Sequence, residues 1–143
     1  MKKIVLIILI VFCFNMYSYG QDSTKIKRAA LDYIEGFYEG DTMKIKRSIH
    51  PDLSKYGYEI DNKTKKYKGH PMSYEGAIDF TLDILNNPQW GAPKNAVKKV
   101  EILDVQDKIA NVKLTVYWGI DYLLLVKYDD RWMITKVIWQ AFD

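Results

Sequence analysis

Asp121 and Lys136 are the two residues whose types and spacing are best suited to chemistry, because strand alternation sets both on one apolar face. If Gly119-Ile120 and Asp129-Asp130 are two-residue hairpin turns, Trp118 faces Asp121, Leu125 faces Ile134, Leu123 faces Lys136 and Asp121 faces Ile138. Acid and base are then diagonal neighbours among Val112, Leu114, Val116, Trp118, Leu123, Leu125, Trp132, Ile134 and Ile138. Burial in such surroundings perturbs at least one pKa, so the pair is a candidate acid, base or orienting group. The structural alternative is an ion pair at a cavity rim that only fixes register. His50 is expected at the end of a short helix, where an imidazole bonds free carbonyls, with a role as pocket base as the other reading. Tyr33 and Phe37 fall one turn apart on an earlier helix and either line a cavity or fill a core. The expected ligand-binding set is therefore Tyr33, Phe37, His50, Trp118, Asp121 and Lys136, with no catalytic residue assigned.

Other chemistries find little support. His70 precedes Pro71 in a loop and has no second ligand nearby, so no metal site is expected. Neither a glycine-rich phosphate loop nor Gly-x-Ser-x-Gly occurs, and no cofactor is expected. The chain has 21 basic and 18 acidic residues. Its lysines are scattered among acids except at Lys63, Lys65, Lys66 and Lys68, which read as a solvated hairpin, so nucleic acid is not an expected partner.

The elements that must position these residues begin after a leader. Lys2 and Lys3 precede an apolar run from Ile4 to Phe14, and Ser18-Tyr19-Gly20 follows with small residues at the −3 and −1 positions. That is the plan of a signal peptide over residues 1–20, cleaved near Gly20, and the run is short of the ~20 apolar residues that span a bilayer. The expectation is an exported protein, periplasmic or secreted, whose mature form is not held in a membrane. Loss of residues 1–20 removes two lysines and leaves 19 basic against 18 acidic. Cys13 lies inside the run, so the mature chain has no thiol and depends on an ordinary core.

One domain, residues 21–143, remains. Apolar residues at Ile26, Ala29, Ala30, Tyr33, Ile34, Phe37 and Tyr38 put one stripe on a helix from Asp22 to Glu39, capped by Asp22 or Ser23 and ended by Gly40. Asp41 caps a second helix that Pro51 stops. A third, Ser73 to Asn86, is expected to bury Ala77, Ile78, Thr81, Leu82 and Leu85. A small hairpin pairs Tyr56–Ile60 with Lys65–Tyr67, and strands follow at Val97–Val105, Ile109–Trp118, Asp121–Tyr128 and Trp132–Phe142. Helices first and strands afterwards mean α+β, with three N-terminal helices on one face of a strongly curved antiparallel sheet. The opposite face would carry Lys113, Thr115, Tyr117, Tyr122, Leu124, Val126, Tyr128, Met133, Val137 and Trp139. So aromatic a face predicts a homodimer through Tyr122, Tyr128 and Trp139. A single bulge would shift part of this register.

The stretch Asp32-Tyr-Ile-Glu-Gly-Phe-Tyr-Glu-Gly-Asp41, followed by Ile49-His-Pro-Asp-Leu53 and later by Asp121-Tyr-Leu-Leu-Leu-Val-Lys127 and Arg131-Trp-Met-Ile134, resembles the putative lumazine-binding branch of the nuclear transport factor 2-like (SnoaL-like, cystatin-like) superfamily. After His-Pro-Asp-Leu this chain departs from the resemblance, with Ser54-Lys55-Tyr56 where relatives tend to carry Lys-Arg. The resemblance implies a cone of three helices wrapped by a curved sheet, a cavity inside, and dimerisation through the sheet. Fold analogy does not choose an activity, since the superfamily mixes enzymes, binding proteins and adaptors. Three readings follow. The first is an exported protein binding a small hydrophobic or aromatic ligand. The second is an isomerase or dehydratase using Asp121 with His50 or a tyrosine. The third is an interaction module that works through its outer face.

Overall fold

The computed structural model describes residues 2–142, with side chains from Gly20 onward. The side chains of the apolar run and Cys13 thus lie outside the described residues. Helix α1 (Lys2–Glu39) is longer than the expected Asp22–Glu39. Asp22 accordingly does not cap it, and its carboxylate instead accepts from Lys127 Nζ and Trp132 Nε1, each at 2.9 Å. The predicted stripe is the buried one, with Ile26, Ala30, Tyr33 and Ile34 fully inaccessible. Gly40 ends the helix at φ 70°, a left-handed position where a Cβ would also meet the Leu85 backbone at 2.6 Å. Asp41 then caps α2 (Thr42–Ser48) by accepting from the backbone N–H of Met43 and Lys44.

Strand β1 (Ile49–Ile60) starts where α2 ends, several residues before the expected hairpin strand. Pro51 is tolerated in it because the ladder to the neighbouring strand is interrupted between Ile49 and Ser54. β2 (Tyr67–Met72) returns antiparallel to β1, and Ser73 caps α3 (Tyr74–Asn86) by accepting from the Gly76 N–H. The buried stripe of α3 is Ala77, Thr81 and Ile84, while Leu82 and Leu85 are exposed. The expected stripe was rotated by one residue, which α3's overall apolarity allowed.

After a single 3-10 turn (Pro88–Trp90) come β3 (Lys98–Val105), β4 (Ile109–Val116), β5 (Gly119–Tyr128) and β6 (Arg131–Ala141). The spatial order is β2-β1-β6-β5-β4-β3, and β1 pairs with β6 in parallel. The sheet is therefore mixed, not wholly antiparallel. Hairpin turns reveal only the antiparallel neighbours, whereas the β1–β6 contact joins the two halves of the chain. The helices pack on the concave face, where Val112, Leu114, Val116, Leu123 and Ile134 are fully buried against α1.

Two departures in register decide the site. The β4–β5 turn is Tyr117-Trp118 rather than Gly119-Ile120, so Leu114 faces Asp121 and Val112 faces Leu123. The turn moves by two residues and the pairing by four, an even shift that leaves the paired strand side chains on their predicted faces, while Tyr117, expected outside, joins the cavity lining from the turn. In β6, by contrast, Leu125 pairs with Ile134 as expected, but Leu124 pairs with Lys136. Thr135 is the extra residue of a bulge, and beyond it the faces exchange. Lys136 and Ile138 turn outward, while Val137 and Trp139 turn toward the helices.

Candidate functional site

A cavity of about 490 Å³ lies between the concave face and the helices. Phe37 of α1 and Phe80 and Ile84 of α3 form one side, Trp118 and Trp139 the other, and Lys55, Glu59, His70 and Met72 of β1 and β2 complete the lining. Alternation along β1 explains Lys55, since Leu53, Lys55 and Gly57 are buried while Tyr56 and Tyr58 are exposed. Gly57 is required by its partner: a Cβ there would lie 2.1 Å from the Trp139 indole nitrogen, so the ring rests directly on β1. Trp118 is held at the β4–β5 turn. The Tyr38 hydroxyl accepts from the Tyr117 N–H at 3.0 Å and donates to the Val97 carbonyl at 2.5 Å, tying the turn to α1 and to the segment before β3.

The polar centre of the site is a chain of hydrogen bonds. Lys55 Nζ donates to the Tyr33 hydroxyl at 2.6 Å, and that hydroxyl donates to Asp121 Oδ2 at 2.9 Å. Trp118 Nε1 donates to the other carboxylate oxygen at 2.8 Å. Asp121 is 0% exposed and Lys55 7%, with Lys55 Nζ 3.7 Å from Asp121 Oδ2, making this a buried ion pair bridged by a phenol. The ammonium also stands 4.9–5.7 Å from the ring centroids of Tyr33, Phe37, Trp118 and Trp139. Desolvated cation–π contacts of this kind are worth up to about 2 kcal/mol. Burial pulls the Lys55 amine below its ordinary pKa, a shift that the charge and hydrogen bonding of Asp121 partly offset. Burial, followed by the Asp121 charge, pushes the Tyr33 phenol well above its usual value, so it stays a neutral bridge.

At the cavity mouth, His70 Nε2 lies 2.9 Å from Glu59 Oε1, yet off the direction of a hydrogen bond. The His70 ring is tilted 34° against Trp139 at 6.3 Å. Neither His70 Nε2 nor Trp139 Nε1 has a hydrogen-bond partner among the described residues. A ring entering between the tryptophans and phenylalanines would find stacking surface, one ammonium with N–H donors to spare, and a carboxylate at its outer end.

Four of the six residues expected from sequence come together here. Phe37 and Trp118 line the cavity, and Tyr33 and Asp121 form the layer beneath Lys55. His50 does not join them, because it opens β1 instead of ending α2, and its ring stacks on Tyr128 at 4.3 Å and 9°. Its Nδ1 accepts from the Asp52 N–H, which engages it outside the cavity. Lys136 does not join them either, because the Thr135 bulge sets it on the outer face. The cation that meets Asp121 is Lys55, and Trp139, expected on the dimer face, is a wall of the cavity. Lys55 could have been found by extending β1 back to Ile49, where alternation from Leu53 places it inside.

Helices cupped by this sheet define the nuclear transport factor 2-like fold. Similar solved structures include a nuclear transport factor 2-like protein of unknown function from Silicibacter pomeroyi, at TM-score 0.65 and 15% identity over 87% of this chain and 98% of that one. Another from Shewanella baltica has TM-score 0.65 and 17% identity, covering 87% of this chain and 97% of its own. A third, from Methylobacillus flagellatus, has TM-score 0.62 and 20% identity over 85% and 93%. No curated protein is significantly similar in sequence. The family model described as "Putative lumazine-binding" matches residues 21–140, and the chain belongs to that family.

Proposed function

We propose that this is a small-molecule-binding protein whose cavity takes a flat heteroaromatic ligand with a carbonyl or acidic oxygen directed at Lys55. The observation that carries this reading is the Lys55 ammonium, buried at the cavity wall inside four aromatic rings and with donor capacity left over after its bond to Tyr33. A cavity of about 490 Å³ with apolar walls and a few convergent polar groups is of the size and kind that hold small ligands, roughly 300–1,000 Å³. The family description makes lumazine the first probe. Its fused rings match the tryptophan walls, its carbonyls match Lys55, and its ring N–H groups match Glu59 at the mouth.

Titration with lumazine should quench the fluorescence of Trp118 and Trp139. Lys55→Met should weaken binding at least about tenfold, a loss of roughly 1.4 kcal/mol. Binding that is unchanged in Lys55→Met would refute the assigned role of Lys55. If native mass spectrometry of the protein from its own host and titration with lumazine both show no small molecule, the cavity is not a ligand site.

Export and dimerisation belong to the same proposal. The charged start, the apolar run and Ser18-Tyr19-Gly20 support cleavage near Gly20 and a periplasmic or secreted protein. The mature chain would begin at Gln21, next to the Asp22 carboxylate that binds Lys127 and Trp132. N-terminal sequencing of exported material tests this. On the outer face Tyr56, Ile138 and Tyr122 lie side by side across three strands, each more than a third exposed. A second copy of the chain covering that row would remove a contiguous apolar patch from water.

A further inference from the structure

We infer that Lys55 is a carbonyl-reactive amine: its Nζ, at the cavity wall and at the head of a hydrogen-bond chain through Tyr33 to Asp121, forms an imine with an aldehyde or ketone carried on a planar aromatic ligand. This deepens the reading of the cavity as a ligand site and depends on it. The geometry supplies what amine catalysis needs. Lys55 is the lysine among the cavity-lining residues, and its amine meets anything seated between Trp118 and Trp139. Tyr33, itself fully buried, touches both the amine and the carboxylate, at 2.6 Å and 2.9 Å. Asp121 is held for that contact by the indole N–H of Trp118 at 2.8 Å.

An ammonium is not a nucleophile, so it must first lose a proton, and this chain provides the route. The ammonium proton passes to Tyr33 Oη while the Tyr33 proton passes to Asp121 Oδ2, leaving a neutral amine, an intact phenol and a neutral carboxylic acid. Removal of both charges is favoured in an apolar, desolvated cage, and burial acts on Lys55 in the same direction. The amine nitrogen then attacks the ligand's carbonyl carbon, forming the C–N bond as the carbonyl π pair moves to oxygen, and a proton passes from the attacking nitrogen, now cationic, to that oxygen to give the neutral carbinolamine. The hydroxyl departs as water when the borrowed proton returns from Asp121 through Tyr33. The net change converts ammonium and carbonyl into a protonated imine and one water, with no oxidant, reductant or further reactant. Glu59, His70 and Tyr117 are the other titratable groups among the cavity-lining residues.

The test treats the purified protein with 2-naphthaldehyde and sodium cyanoborohydride, which reduces the imine to a stable secondary amine, followed by intact-mass measurement and peptide mapping. The non-covalent counterpart, 2-naphthalenemethanol, is titrated in parallel by tryptophan fluorescence. The expected result is one adduct per chain, on Lys55, formed at least about tenfold faster than on the exposed Lys63, Lys65 or Lys66. Lys55→Arg, which keeps the charge, should abolish that fast adduct. Tyr33→Phe, which keeps the ring and breaks the relay, should slow it at least about tenfold. Adducts confined to exposed lysines, or a fast adduct that persists in Lys55→Arg, overturn the inference, and an undiminished rate in Tyr33→Phe overturns the relay. If the alcohol binds while Lys55 stays unmodified, the imine inference falls and the binding reading stands. If neither compound binds and lumazine also fails, both fall together.

Discussion

Replacing Asp121 by Asn removes the counter-charge of an ammonium that is only 7% exposed, while leaving the side chain's shape nearly unchanged. Breaking a buried ion pair in this way costs about 3–5 kcal/mol, because the stranded charge is neither solvated nor paired. Lys55→Met strands the carboxylate instead, but Tyr33 and Trp118 still donate to it at 2.9 and 2.8 Å. That substitution should therefore cost less, about 2–4 kcal/mol. The double variant strands no charge and puts a thioether chain among four aromatic rings, so its cost should be about 1–3 kcal/mol. The singles sum to about 5–9 kcal/mol, which predicts a coupling of about 2 kcal/mol or more. Urea unfolding of the four proteins at pH 7 reads it directly through the midpoints, provided the slope is constant. Lys136 is the control: it is on the outer face, so Lys136→Met should change stability by less than about 0.5 kcal/mol and add to Asp121→Asn within the same margin. Additive behaviour of Lys55 and Asp121, or coupling of Asp121 with Lys136, would show that the Thr135 bulge is misplaced and that the cavity has a different cation.

Gly57→Ala would drive a Cβ to 2.1 Å from the Trp139 indole, and since that ring must move, stability should fall by about 1–3 kcal/mol and lumazine affinity with it, read by urea unfolding and tryptophan fluorescence. Burial pushes the Asp22 carboxyl up, but bonds from Trp132 and Lys127 and the Lys127 charge outweigh it and hold the folded value below the ordinary one. The stability it contributes is thus fully present above the unfolded pKa of about 3.9 and is lost as pH falls through the lower folded value. Asp22→Asn should cost about 1–3 kcal/mol at pH 7 and flatten that acid limb in pH-dependent unfolding; an unchanged limb would remove Asp22 as its source. Ile138→Lys, near the middle of the outer aromatic row, should convert a dimer to monomer in sedimentation without altering lumazine binding, and a wild-type protein that is monomeric at about 50 µM would show that the row is not a self-interface.

The residues of α1 were legible because a helical stripe is a local pattern: Ile26 to Tyr38 repeat at three and four, and each predicted member is buried. The cap at Asp41 and the stop at Gly40 were legible for the same reason, since each rests on one residue and the few backbone groups beside it. The strands from β3 to β6 were legible in extent and, from β4 up to Ile134, in facing. The bulge was not, because an extra residue at Thr135 leaves no mark in an alternation that is apolar on both faces. From there on Val137 and Trp139 read equally well as outside, and the side was settled by what they meet: the helices for Val137, and the bare backbone of Gly57 for Trp139. His50 was misread because a histidine after a short helix looks the same whether the chain stops or turns into a strand. Lys55 was passed over because a lysine's intrinsic preference is for water. Only tertiary contact overrules that preference, by bringing Asp121 from 66 positions further along the chain, through Tyr33, to a strand that pairs with β6 in parallel. The sequence by itself thus determined the places of the helices and of β3 to β6 and the α+β class, whose causes are local, but not the extent of β1 and β2, which stand between α2 and α3 and not after the last helix. The partner of Asp121 and the walls of the cavity were decided by a strand pairing and a one-residue bulge, which no local pattern encodes.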